Sequence, residues 1–277
     1  MQFGILGMLE VRDGEQEVPL RSIQQRSLLA LLLCHHGTVA RSDVLIDALW
    51  GGETGEAGAR RLRLQLHRLR RTLGDDSLIV HRSTGYQLTV PREAVDAWRF
   101  ENLVQQGRAA IRAGNDPKGG ELLRDALDMW RGHALSGLSD IALLHRQATR
   151  LEEQRLSALA DRVEADLRLR RHTDLVAELS DLVREHPLRE KFRAQLMIAL
   201  YRSDRQADAL EVYREGRRIL ARDLGLEPSL ELRRLEAAIL ASDSSLSLAR
   251  APLKRPVHRR ASRRHPAGCP HCARRVR

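Results

Sequence analysis

Residues 60–74, RRLRLQLHRLRRTLG, constrain the fold more than any other segment. Six arginines, Arg60, Arg61, Arg63, Arg68, Arg70 and Arg71, fall within twelve residues that hold no acidic side chain. Leu62, Leu66, Leu69 and Leu73 recur at i, i+4, i+7 and i+11, which is one face of an α-helix. At about 100° per residue, Arg60, Leu64, His67 and Arg71 lie opposite that stripe. Arg61 and Arg68 flank them on one side and Arg63 on the other. The segment is expected to bury leucine on a core and to show cations to a polyanion. Arg70 sits nearer the stripe, where a long stem can snorkel. A basic amphipathic helix is also compatible with a solvated face, a membrane surface or an acidic partner, so its neighbours must decide.

The net charge of +10 could suggest a basic protein throughout, but the charge is unevenly placed. Residues 1–243 carry 37 basic and 37 acidic side chains, whereas residues 244–277 carry ten Lys/Arg and no acid. The first 95 residues hold 12 basic and 11 acidic groups, so the arginine helix is a local patch in a balanced region. With 42% hydrophobic but only 3% aromatic residues, the chain fits a mainly helical fold, and 277 residues suffice for two domains. No segment approaches ~18 consecutive apolar residues, and the N-terminus lacks the pattern of a secretory signal. A cytoplasmic, nucleoid-associated protein with no membrane partner is expected.

The start, QFGILGMLEVRDGEQEVPL, reads as a hairpin with strands near 3–11 and 16–20 around the turn RDGE. A helix over 23–36 is apolar nearly all round, hence buried, and Gly37 ends it. Cys34 lies within it as a small core residue. Ser42 is expected to cap a short helix, DVLIDALW. Residues 51–58, GGETGEAG, read as a flexible loop. The arginine helix follows, then strands at 78–81 and 86–90 around residues 82–85. A helix before a small hairpin is what a winged-helix DNA reader needs, with the helix for the major groove and the hairpin tip for the neighbouring backbone or minor groove.

From residue 95 to 243 the pattern is almost continuously helical, with helices near 97–113, 117–131, 139–171, 174–185, 189–202, 205–221 and 229–241. Ala194, Leu200, Tyr201, Ala207, Ala209, Leu210 and Tyr213 alternate small and large as in tetratricopeptide-like hairpins. Residues 244–277 are rich in Pro, Arg and Ser without periodicity, which points to a disordered basic tail. The expected class is mainly α. A winged helix-turn-helix over 1–92 is followed by a tetratricopeptide-like all-α domain over 95–243.

The order GILGMLEV, SIQQRSLLALLL, VARSDVLIDALWG, LHRLRRTLG and IVHRSTGYQL resembles the OmpR-type winged helix of the Streptomyces antibiotic regulatory protein family. Residues 185–240, from EHPLREKF to LRRLEAAIL, resemble that family's bacterial transcriptional activation domain. The resemblance covers about residues 1–241. It implies an activator of secondary-metabolite gene clusters that binds direct repeats near the −35 region as a side-by-side homodimer. It also implies recruitment of RNA polymerase holoenzyme through the principal sigma factor. The chain departs from the family at 51–58, where a proline pair is common, and at Leu64, Gln65 and His67 in the arginine helix. Larger relatives add a nucleotide-binding domain. With no GxxxxGK[ST] and this length, the chain resembles the small, ATPase-free class.

Candidate DNA contacts are Arg60, Arg63, Leu64, His67, Arg68 and Arg71. Arginine can pair bidentately with guanine, although most arginines on such helices hold phosphate. Leu64 could touch a thymine methyl group. Arg82 and Thr84 at the hairpin tip are backbone or minor-groove candidates, or a solvated turn. Ser42, as a helix cap, could present backbone N–H groups to phosphate. Glu53, Thr54 and Glu56 form the candidate polymerase-facing loop, or a plain connection. In the tail, His265, Cys269, His271 and Cys272 offer a weak metal motif without a second C-x₂-C. No cofactor is expected. No nucleophile–base set or phosphate loop stands out, so an enzyme is not expected. The alternative to a DNA-binding activator is a helical scaffold or adaptor whose basic helix is incidental.

Overall fold

The computed structural model describes residues 1–35, 37–52, 55–243 and 245–246. It opens with three short antiparallel strands, β1 (Gln2–Gly4), β2 (Glu10–Asp13) and β3 (Gln16–Glu17), in the order β1-β2-β3. The β2–β3 turn uses Gly14 at φ +59°, a left-handed conformation that glycine adopts without steric penalty. The single strand expected over 3–11 is therefore two strands, because the peptide groups between them are engaged elsewhere. The N–H groups of Ile5 and Leu6 donate to the Asp96 carboxylate at 2.8 and 3.1 Å. The carbonyls of Ile5, Leu6 and Gly7 accept from Leu135, Arg131 and Ser136 at 3.0, 2.8 and 3.1 Å.

Helix α1 (Ile23–Cys34) buries every residue from Ser27 to Leu33, as its apolar circumference requires. It ends at Cys34, before the expected end at 36, and His36 lies outside the described residues. Burial pushes the Cys34 thiol up to about 12, with Arg150 pulling weakly the other way, so it is no nucleophile near neutral pH. Strand β4 (Ala40–Arg41) leads into α2 (Ser42–Trp50), and α3 (Gly55–Leu73) follows. Strands β5 (Ile79–Arg82) and β6 (Gly85–Leu88) complete a second antiparallel sheet, ordered β4-β6-β5. Three helices and this sheet make a winged helix. Strand β4 is too short to carry a readable period.

Among the described residues, seven further α-helices follow: α4 (Asp96–Arg112), α5 (Asp116–Leu127), α6 (Ala142–Arg168), α7 (His172–Glu185), α8 (Glu190–Arg202), α9 (Gln206–Leu224) and α10 (Leu230–Leu240). Each matches an expected helix to within a few residues. They stack chiefly as neighbouring pairs, α4 on α5, α5 on α6, α7 on α8 and α8 on α9. Glycines permit a close crossing of α4 and α5: a Cβ on Gly119 would lie 2.9 Å from the Gly107 carbonyl oxygen. Ala209 and Tyr213, two of the expected small–large positions, are buried between the later helices.

One hydrophobic core runs from Phe3 to Ala158 and draws on residues on both sides of 92–95. A second, from Ala160 to Ile239, holds the later helices. Asp96 joins the N-terminal strands to the helical array. It is buried, and it also accepts from Arg131 at 3.1 Å, which in turn pairs with Glu10 at 2.7 Å. No described helix is long and apolar enough to cross a membrane. The tail expected to be disordered, with His265, Cys269, His271 and Cys272, lies outside the described residues except for Ser245 and Leu246.

Candidate nucleic-acid interface

Helix α3 divides along its length as its leucine spacing demands. Leu62, Leu66, Leu69 and Leu73 are all buried. Gln65 is buried beside them, where its amide donates to Gln24 Oε1 at 2.8 Å, so α3 is keyed to α1 by a polar bond as well as by packing. Arg60, Arg63, Leu64, His67, Arg68 and Arg71 are exposed together on the opposite side.

Two arginines of the run are directed elsewhere. The Arg61 guanidinium lies over the Trp50 ring, 4.6 Å from its centroid, and ties the start of α3 to the end of α2. Arg70 donates through Nε, at 3.0 Å, and through its terminal nitrogen to the Ile79 carbonyl. Ile79 lies on the edge strand β5, opposite Leu88 of β6. Arg70 thus ties α3 to the wing and does more than snorkel. Arg60 has a neighbour in Glu56 at 3.6 Å, but both side chains are more than three-quarters exposed, so water screens the pair and leaves it weak.

The wing is a two-residue hairpin, Ser83-Thr84, between β5 and β6. His81 and Tyr86 pack edge-to-face across the strands at 5.0 Å. Arg82 is exposed and donates to Gln87 Oε1 at 2.9 Å. Thr84 is exposed, and its carbonyl accepts the Ser42 N–H at 3.1 Å.

That bond corrects the expectation for Ser42. Ser42 is the first residue of α2 and Arg41 is the cap, so the Ser42 side chain does not cap the helix. Its N–H is committed to the wing and is not available to phosphate. A second amide of that first turn, Val44 N–H, goes to Asp43 Oδ1 at 3.0 Å. Arg41 is a further candidate that the sequence pattern does not single out. It is exposed in β4 beside the wing and grips Asp43 with contacts of 3.0 and 2.6 Å. The hydrogen bond holds the Asp43 carboxyl below its ordinary value and raises that of Arg41. The signal was the short Arg-Ser-Asp run at the start of α2, legible only once β4 places Arg41 next to Gly85.

The expected loop at 51–58 is shorter than its glycines suggested. Helix α3 begins at Gly55, so Glu56 belongs to its first turn, where a carboxylate favours the positive end of the helix dipole. Glu53 and Thr54 lie outside the described residues. The exposed set of α3, the wing tip and Arg41 provide guanidinium forks, a helix of groove-fitting width and a hairpin beside it, the geometry for gripping a nucleic-acid backbone and reading base edges.

Comparison with known proteins places the chain. A family described as "Bacterial transcriptional activator domain" matches residues 95–240, and one described as "Transcriptional regulatory protein, C terminal" matches residues 15–88. The chain is 35% identical to the regulatory protein DnrI of Streptomyces peucetius, over 89% of this chain and 94% of DnrI. It is 41% identical to the regulatory protein AfsR of Streptomyces coelicolor over 89% of this chain, but it spans only 25% of AfsR. The solved structure of Mycobacterium tuberculosis EmbR, in complex with a low-affinity phosphopeptide, superimposes with a TM-score of 0.83 at 34% identity, covering 87% of this chain and 65% of that one. The near full-length match to DnrI and the paired regulatory and activator regions show that the chain belongs to the Streptomyces antibiotic regulatory protein family.

Proposed function

We propose that this chain is a sequence-specific, DNA-binding transcriptional activator of secondary-metabolite promoters. The observation that carries the proposal is the exposed side of α3, where four arginines, a histidine and a leucine face outward from a helix anchored to α1, α2 and the wing. In this reading α3 enters the major groove and Arg63, Arg68 and Arg71 contact phosphates or guanines. Arg60 takes the same role on leaving its weak, exposed pair with Glu56. Arg82, Thr84 and Arg41 approach the neighbouring backbone. Residues 1–92 bind DNA and residues 95–243 transmit activation. Two copies sit side by side in one orientation on direct repeats near the −35 region. Glu56, with Glu53 and Thr54, faces RNA polymerase holoenzyme and its principal sigma factor. The protein works in the cytoplasm on the nucleoid.

Footprinting over the promoters beside its own gene tests this. The expected result is protection of two same-orientation half-sites upstream of −35, spaced by ~10–10.5 bp or a multiple, so that both copies share one face of the helix. Run-off transcription from that promoter with purified holoenzyme should rise when the protein is added. An unprotected promoter, or a protected promoter whose transcription does not rise, contradicts the respective half of the proposal.

A further inference from the structure

Leu64 is the one large apolar side chain among the exposed residues of α3, and it is 47% exposed. Every other leucine of the helix is buried. None of the remaining exposed large hydrophobics of the described residues, such as Met8, Ile23 and Leu226, belongs to α3 or to the wing strands. On a helix, the residues three and four positions away are the neighbours. For Leu64 these are Arg60, Arg61, His67 and Arg68, so it is an apolar spot ringed by cations and an imidazole. Arg61 lies over Trp50, which fixes the turn beneath Leu64 against α2. Side chains of a helix lean towards its N-terminus, so Leu64 covers the turn carrying Arg60 and Arg61, in the half of α3 that a recognition helix points at base edges.

The ring of charge draws in a phosphate backbone, yet a leucine can neither bind phosphate nor donate to guanine. In the major groove the apolar group that it can cover is the C5-methyl of thymine. We propose that Leu64 is a specificity-determining residue that selects thymine at one position of each half-site through that methyl group. The inference rests on the DNA-binding reading above and assigns part of its sequence code.

The test is a cycle between protein and DNA. Each thymine of the footprinted half-site is replaced in turn by deoxyuridine, which removes the methyl group and leaves every hydrogen-bonding edge intact. Affinities of the full chain and of its Leu64→Ala variant are then measured, with thermal melting to confirm that the variant is folded. One uridine position should weaken the wild type about fourfold, the equivalent of one buried methyl group. Leu64→Ala should no longer distinguish thymine from uracil there. The inference is overturned if the wild type binds the fully uracil-substituted operator as tightly as the thymine operator. It is equally overturned if both proteins lose the same factor at every uridine. A wild type that ignores operator sequence altogether removes the sequence-specific reading itself, a different result from specific binding without methyl dependence.

Discussion

Asp96→Ala is expected to destabilise the protein by about 3 kcal/mol, because it strands two buried backbone donors at once. Asp96 is 1% exposed, and its carboxylate accepts from Ile5 N–H, Leu6 N–H and Arg131. Most of the effect comes from the two amides, each worth ~1–3 kcal/mol when left unsatisfied. Arg131 is 38% exposed, so water compensates much of its lost pairing. Asp96→Asn keeps one acceptor oxygen and should fall between wild type and alanine. Urea denaturation reads the loss as a lower midpoint, and heating as a melting temperature lower by ~6–12 °C for a chain of this size. Because one core runs through β1, α1 and α4–α6, the effect should reach the winged helix as well as the helical array. A change within ~0.5 kcal/mol, typical of a surface site, would contradict this account of the junction.

Gly85→Ala should lower stability by ~1–3 kcal/mol and weaken operator binding at the same time. Gly85 pairs with Arg41 on one side and Arg82 on the other. A Cβ there would collide with the Ala40 carbonyl oxygen and come within 2.8 Å of both the Ala40 carbonyl carbon and the Arg41 Cα. The obstacle is backbone, so no rotamer change relieves it and β4 must part from β6. That separation carries Arg41 and Ser42 away from Thr84 and tilts the wing against α3. Denaturant midpoints and a gel shift on the same preparation measure the two effects. A variant as stable and as tight-binding as wild type would mean that the β4–β6 contact does not position the wing.

What was legible in the sequence is what repeats within one element. The leucine period placed the buried side of α3 correctly, and breaks such as His186-Pro187 and the Gly225 turn bounded the later helices. What was hidden depends on partners far along the chain. Nothing local to residues 3–11 reveals that the Ile5 and Leu6 amides turn to a carboxylate some 90 residues away. Ser42 reads as a cap because a serine before an apolar helix usually is one, yet its N–H is taken by Thr84 across the sheet. Periodicity alone sets Arg70 near the stripe and Arg61 on a flank, but only the positions of Trp50 and of the Ile79 carbonyl reveal what those two guanidiniums hold. Gly55 and Gly58 argued for a longer loop, but Gly58 is buried within α3.

The most direct test of the account is a gel-shift series at several salt concentrations, comparing the chain's own upstream promoter with unrelated competitor DNA. Promoter DNA should be bound ~10³-fold or more tightly than competitor at physiological salt. Arg68→Ala and Arg71→Ala should each weaken binding, and for an arginine that holds phosphate the slope of log affinity against log salt should shrink by ~0.9. A wild type that binds competitor as tightly as promoter would contradict the assignment of α3 as a reading helix.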